Sequence, residues 1–154
     1  GTSGVTPEEV AELDRAAREL SLGGLVVPNF CLGIVLQQRF ALEAARHFTS
    51  IEIVEEHHTR KKDAPSGTSL DTARRLADLR GVPPASIPIH AVRLTGLYAN
   101  QAVLLSGPGE VLRLEHQTYG LDAFGPGILA ALRFLPRAAG IKVGLEHALA
   151  PPKD

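Results

Sequence analysis

Apolar positions recur along the chain first at helical spacing, then in alternation, and the changes of rhythm divide it into elements. Thr6-Pro7-Glu8-Glu9 predicts a helix start, with Thr6 as cap, Pro7 at the first helical position and Glu9 closing a capping box. Val10, Leu13, Ala17 and Leu20 then share one face, and Gly23-Gly24 is expected to stop the helix. Leu25-Val26-Val27 reads as a short buried strand ending at Pro28. A second helix is expected after Gly33, with Ile34, Ala41, Ala45 and Phe48 along one stripe. The stretch from Ile51 to His58 opens on alternating β-branched residues and predicts a strand, and a polar loop then runs from Thr59 to Gly67. Thr68-Ser69-Leu70-Asp71 opens a third helix, with Leu70, Ala73, Leu76 and Ala77 apolar.

Beyond Gly81-Val82-Pro83-Pro84 the pattern shortens. Ile87 to Leu94 and Gln101 to Leu105 read as strands. Gly107-Pro108-Gly109-Glu110 is a turn, Val111 to Thr118 the returning strand of a hairpin, and Phe124 to Leu135 a helix. The tail from Ala150 to Asp154 is expected to fray. The opening order of helix, short apolar strand and loop resembles the last unit of an α/β domain, which sets a boundary at residues 1–28. The fold class expected for 29–154 is α+β, a mixed β-sheet with helices on one face. Its second face is expected to be apolar and to take another subunit.

Composition narrows the function classes. The 154 residues carry 16 Lys+Arg against 17 Asp+Glu, which argues against a general nucleic-acid or anionic-membrane surface. No apolar run approaches membrane-spanning length, and a soluble cytoplasmic protein is the expectation. The one cysteine, Cys31, lies in the apolar stretch Asn29-Phe30-Cys31-Leu32-Gly33 and is expected to be a buried small hydrophobe. No Cys/His metal spacing is present.

The least ordinary segment runs from Glu55 to Thr68: Glu-Glu-His-His-Thr-Arg-Lys-Lys-Asp-Ala-Pro-Ser-Gly-Thr. Neighbours on a strand point to opposite faces, so His57 and His58 do not readily chelate one metal, but one can serve a ligand while the other braces the strand. Arg60-Lys61-Lys62 is either a solvated loop or, beside the histidines, an anion site with a proton donor. Ser66-Gly67-Thr68 leads into a helix, where backbone N–H groups lack intrahelical partners and carry the positive end of the dipole. Such a start seats a carboxylate or phosphate, and Thr68 can at the same time serve as the helix cap. Asp63-Ala64-Pro65 is expected to hold the loop's shape. Together these residues describe a cationic pocket for a small acid with a proton donor at hand.

The run from Glu55 to Thr68 closely resembles the signature E-x-H-H-x-x-K-x-D-A-P-S-G-T of the dihydrodipicolinate reductases, with Glu55 and His57 in the E-x-H positions. Gly1-Thr2-Ser3-Gly4 is similar to that family's G-T-T-G loop, and Pro28-Asn29-Phe30-Cys31-Leu32-Gly33 to its N-F-S-[IV]-G segment. His90-Ala91-Val92-Arg93-Leu94 and Gly107-Pro108-Gly109-Glu110 match the sheet of its substrate domain. The resemblance implies a homotetrameric enzyme that uses NADPH or NADH to reduce a cyclic imine dicarboxylate to tetrahydrodipicolinate, in lysine and diaminopimelate synthesis. It implies His57 as the acid/base residue and Lys61 as the proton donor. His58, Ser66, Gly67 and Thr68 would bind substrate, and Gly1, Thr2, Ser3, Val27, Pro28, Asn29 and Phe30 the cofactor. Residues 1–28 would then be the remnant of a Rossmann-like dinucleotide-binding domain, and 29–154 the substrate-binding and oligomerisation domain.

Two positions depart from the family pattern. Leu121 stands where an arginine is frequent, and Asn100 where many members have histidine. No G-x-G-x-x-G follows a strand, so a truncated reductase that binds dinucleotide poorly on its own is expected. The alternatives are a non-catalytic dicarboxylate-binding or assembly module, and a hydrolase with Ser66 as nucleophile and Lys61 or His57 as base.

Overall fold

The computed structural model describes residues 5–149. The described chain divides into two compact units. One comprises the segments up to Leu32 and from Leu121 onward, and the other comprises Gly33–Gly120. The first unit is thus discontinuous in sequence, whereas a single division after residue 28 was expected.

In the first unit, α1 (Pro7–Glu19) starts as anticipated. Thr6 Oγ1 accepts the Glu9 N–H (3.2 Å), and the Glu9 carboxylate accepts the Thr6 N–H (2.7 Å). Only Ala17 of the expected apolar face is buried; Leu13 and Leu20 are exposed. The helix ends earlier than Gly23, at the Leu20 cap, followed by Ser21 at φ 55°. Gly23 and Gly24 instead open strand β1 (Gly23–Val26). A side chain at Gly23 would lie 2.1 Å from the Ala138 carbonyl oxygen, so the missing Cβ permits a close strand approach rather than a helix stop. After the second unit, the chain returns through a 3-10 turn (Leu121–Phe124), helix α4 (Gly125–Phe134) and a further 3-10 turn (Leu135–Arg137). A last strand, β6 (Gly140–Val143), was not anticipated; it pairs in parallel with β1, with Gly23 opposite Gly140 and Val26 opposite Val143. A short helix, α5 (Glu146–Leu149), follows.

The second unit is the expected α+β layer. Its helices are α2 (Leu32–Ala44) and α3 (Gly67–Arg80), and its strands are β2 (Ser50–His57), β3 (Ile89–Arg93), β4 (Ala99–Gly107) and β5 (Glu110–His116). The sheet order is β3-β2-β4-β5, parallel between β2 and β3 and antiparallel elsewhere. Strand alternation sends Ile51, Ile53, Val103 and Leu105 to one face, where they bury against Ala41, Ala45, Ala73, Leu76, Ala77 and Ile87. The register places Glu52, Val54 and Glu56 on the opposite face with His90, Val92, Ala102, Leu104, Arg113 and Glu115. That face is therefore mixed, not apolar; Glu52 and His90 pair across it at 2.7 Å and Arg113 pairs with Glu115 at 2.9 Å. No helix among the described residues is long and apolar enough to cross a membrane.

Candidate active site

The same alternation that buries Ile51 and Ile53 puts Glu55 and His57 on the helix-facing side of β2. Glu55 is fully buried, with a side-chain exposure of 0%. A carboxylate at that depth requires charged partners. It has three. His57 Nδ1 makes a short contact with Oε2, the Arg93 guanidinium reaches both oxygens (2.8 and 2.9 Å), and the Ser66 N–H donates to Oε1 (3.2 Å). Burial alone would raise the Glu55 carboxyl, but the Arg93 fork and the His57 ring outweigh it and hold it below the ordinary glutamate range. Burial pushes His57 below the usual histidine value, and the bond to Glu55 offsets this only in part.

The polar loop after β2 returns to the same cluster. Lys61 Nζ donates to Asp63 Oδ2 at 2.7 Å, and Arg93 Nη2 donates to the Asp63 carbonyl oxygen at 2.7 Å. The hydrogen bond from Lys61 keeps the Asp63 carboxyl below its usual range. His58 Nδ1 is buried and has no hydrogen-bond partner among the described residues.

The helix cap falls on a different residue from the one expected. Ser66, not Thr68, caps α3, accepting the Ser69 N–H at 3.2 Å, while its hydroxyl shares a 2.9 Å bond with that of Ser69. Ser66 is 3% exposed, so its oxygen is held inside the helix start and does not suit a nucleophile. Ser69 Oγ continues to Gln101 Oε1 (2.8 Å), and Gln101 Nε2 to Thr72 (3.0 Å) and Gln37 (2.9 Å), a buried polar chain across α3, β4 and α2. Gly67 is exposed, and a Cβ built on it would meet nothing within 4 Å. The backbone at the start of α3 is therefore open from outside, at the end of the helix that favours anions.

His57, His58, Lys61, Ser66, Gly67 and Thr68 thus all lie in the second unit, along β2, its loop and the start of α3. Val27, Pro28, Asn29 and Phe30 lie in the first unit, directly after β1. Asn29 Oδ1 accepts the Cys31 N–H at 2.9 Å and shapes this turn, which follows the carboxyl end of a parallel strand. That is where α/β sheets take ligands, so these residues suit one end of a nucleotide. Among the described residues, no turn with spaced glycines of the phosphate-binding kind leads from a strand into a helix. Gly1, Thr2 and Ser3 lie outside the described residues. Cys31 is buried, as its apolar setting suggests, and burial raises its thiol.

Both departures from the family pattern have a clear local setting. Asn100 is buried, with Oδ1 accepting the Thr118 N–H (3.1 Å) and Nδ2 donating to Glu56 (3.3 Å). Leu121 is exposed at the start of its 3-10 turn. Glu55 and Arg93 had no expected role, yet they hold the cluster together. The signal for Glu55 is its phase: it continues the inward series of Ile51 and Ile53, where an acid needs a buried counter-ion.

The family described as "Dihydrodipicolinate reductase, C-terminus" matches residues 33–149. The 4-hydroxy-tetrahydrodipicolinate reductases of Streptococcus sanguinis and Lactococcus lactis are 40% and 41% identical over 97% of this chain. The solved structure of dipicolinate-bound dihydrodipicolinate reductase from Paenisporosarcina sp. TG-14 matches 95% of the chain at 36% identity, with a TM-score of 0.82. The chain spans just under two thirds of the length of these relatives: 66%, 64% and 62% respectively. With its signature loop, its sheet and most of its length matched, the chain belongs to the dihydrodipicolinate reductase family and contains the region described as its C-terminus.

Proposed function

We propose that this chain is the substrate-binding part of a 4-hydroxy-tetrahydrodipicolinate reductase, which reduces a cyclic imine dicarboxylate with NADPH or NADH in lysine and diaminopimelate synthesis. The observation that carries this reading is the double attachment of Glu55. One buried carboxylate bonds both the ring of His57 and the N–H of Ser66, so the proton-handling end of β2 and the anion-seating start of α3 are fixed to each other.

In this reading one substrate carboxylate rests on the exposed backbone of Gly67, with Thr68 beside it, favoured by the helix dipole. His58, with its buried and unpartnered Nδ1, offers a polar contact to the ring. Nicotinamide, when bound, supplies the hydride, and Val27 to Phe30, together with Gly1 to Ser3, would hold it. Lys61 gives a proton to the ring position beside the carbon being reduced, and its ammonium stabilises the negative charge that develops there. His57 serves as the acid/base group that restores the proton. The part-exposed Val54, Val92 and Leu104 on the outer face of the sheet support assembly into a tetramer.

The test is calorimetry with pyridine-2,6-dicarboxylate, followed by turnover in a protein completed by a nucleotide-binding domain. Binding to the chain is expected, with a loss of about 10²- to 10⁴-fold in turnover for Lys61→Ala. No binding by the parent chain would overturn the reading. Binding without turnover after completion would favour the non-catalytic module instead.

A further inference from the structure

Glu55 and Arg93 form a unit whose extent exceeds what pairing one buried carboxylate requires. Arg93 Nη1 and Nη2 grip the two Glu55 oxygens, and the same nitrogens also donate to the carbonyls of Val92 and Asp63, each at 2.7 Å. The Asp63 side chain in turn holds Lys61. A single guanidinium on β3 therefore supports the carboxylate behind His57 and the loop that carries Lys61. Arginine suits this task because its planar fork has several donors in fixed directions, which a lysine cannot reproduce.

We propose that Glu55 and Arg93 are positioning residues of the acid–base site: Arg93 holds Glu55 as an oriented anionic acceptor, and Glu55 fixes His57 with its proton on Nδ1, leaving Nε2 to meet the substrate. The proposal rests on the reading of His57 as the acid–base group. A carboxylate accepts and does not donate, so the ring nitrogen it contacts must carry the hydrogen. A neutral His57 then keeps its lone pair on Nε2, and ring flipping would forfeit the bond to a buried anion. The charged groups around the ring are Glu55 on its own strand, Arg93 on β3, and Lys61 with Asp63 on the loop. Among these only Glu55 contacts the ring directly through a charge that favours imidazolium.

The tautomer can be read without turnover, by ¹⁵N NMR of the His57 ring in the 154-residue chain. The parent is expected to show a protonated Nδ1 and a bare Nε2 at neutral pH. In the double variant Glu55→Leu/Arg93→Leu, which leaves neither a lone buried charge nor an acceptor at Nδ1, the ring is expected to lose this fixed tautomer. Its protonation midpoint should fall, because the bond and the charge of Glu55 that favoured imidazolium are lost and outweigh the smaller opposing charge of Arg93. Arg93→Lys should keep the tautomer while weakening binding of pyridine-2,6-dicarboxylate, through the loosened loop at Asp63. A parent ring protonated on Nε2 overturns the proposal even if no variant folds, and so does a folded double variant with an unchanged tautomer and midpoint. Either result leaves the functional reading intact. Conversely, unaltered turnover in His57→Asn, in the completed reductase, would sink the functional reading while leaving the tautomer result in place.

Discussion

Gly67→Ala separates a ligand seat from a simple helix start, because the two make opposite predictions. Gly67 is the first residue of α3, its φ lies outside the left-handed region, and a Cβ there meets no atom within 4 Å. Alanine is thus sterically free in the unliganded protein. It restricts the unfolded chain and suits a helix better than glycine, a gain of about 0.5 kcal/mol. For a chain of this size that raises the melting midpoint by about 1–2 °C. The ligand experiences the reverse. The Gly67 N–H, at the first helical position, has no intrahelical acceptor, and a carboxylate bonded to it needs the space the methyl takes. A hydrogen bond to a charged group contributes about 1.5–3 kcal/mol, so its loss weakens binding about 10- to 100-fold. Differential scanning fluorimetry and calorimetry with pyridine-2,6-dicarboxylate read the two effects on one sample. A variant that is more stable and binds as well as the parent would refute the seat at Gly67.

Three other outcomes follow from the same structure. Ser66→Ala removes the cap of α3 and should cost about 1–2 kcal/mol, a fall of about 2–8 °C in the melting midpoint; an unchanged midpoint would mean that the cap contributes nothing. Gly23→Ala sets a methyl against the Ala138 carbonyl and should cost about 1–3 kcal/mol by overpacking, visible as a lower urea midpoint and faster amide exchange in β1 and β6. Acid should destabilise the fold steadily. Glu55 titrates below its ordinary value when folded, so its contribution is present above that value and is lost as pH falls through the folded one. His57 and His116 also titrate low, chiefly through burial, so below about pH 6.5 the unfolded chain takes their protons first and stability falls further. Urea midpoints that stay flat from about pH 7 to 4 would contradict this sign.

The elements that were legible in the sequence are those fixed by near neighbours. The capping box at Thr6 and Glu9 is one, since both partners lie within a single turn. The alternation of β2 and the Gly-Pro-Gly turn between β4 and β5 are others. The site run from His57 to Thr68 was legible because its chemistry is contiguous. What escaped depends on distant partners. β6 is four residues long and has no period of its own; it becomes a strand only by meeting β1. Gly23 looks like a helix stop until Ala138 is beside it. Ser66 and Thr68 are equally good caps on paper, and the bond from the Ser66 N–H to a buried glutamate eleven positions back accompanies the choice of Ser66. Arg93 reads as an ordinary sheet residue until the parallel register of β2 and β3 sets it beside His57.

The discontinuity of the first unit bears on how the chain is made. On the ribosome β2 to β5 are synthesised consecutively, and all four precede Gly140 in the growing chain. β1 is synthesised ahead of them but meets its parallel partner only once residues 140–143 appear. During that interval the edge of β1 destined for β6 is bare, a phase in which a holding chaperone or an early ligand would have the most to protect.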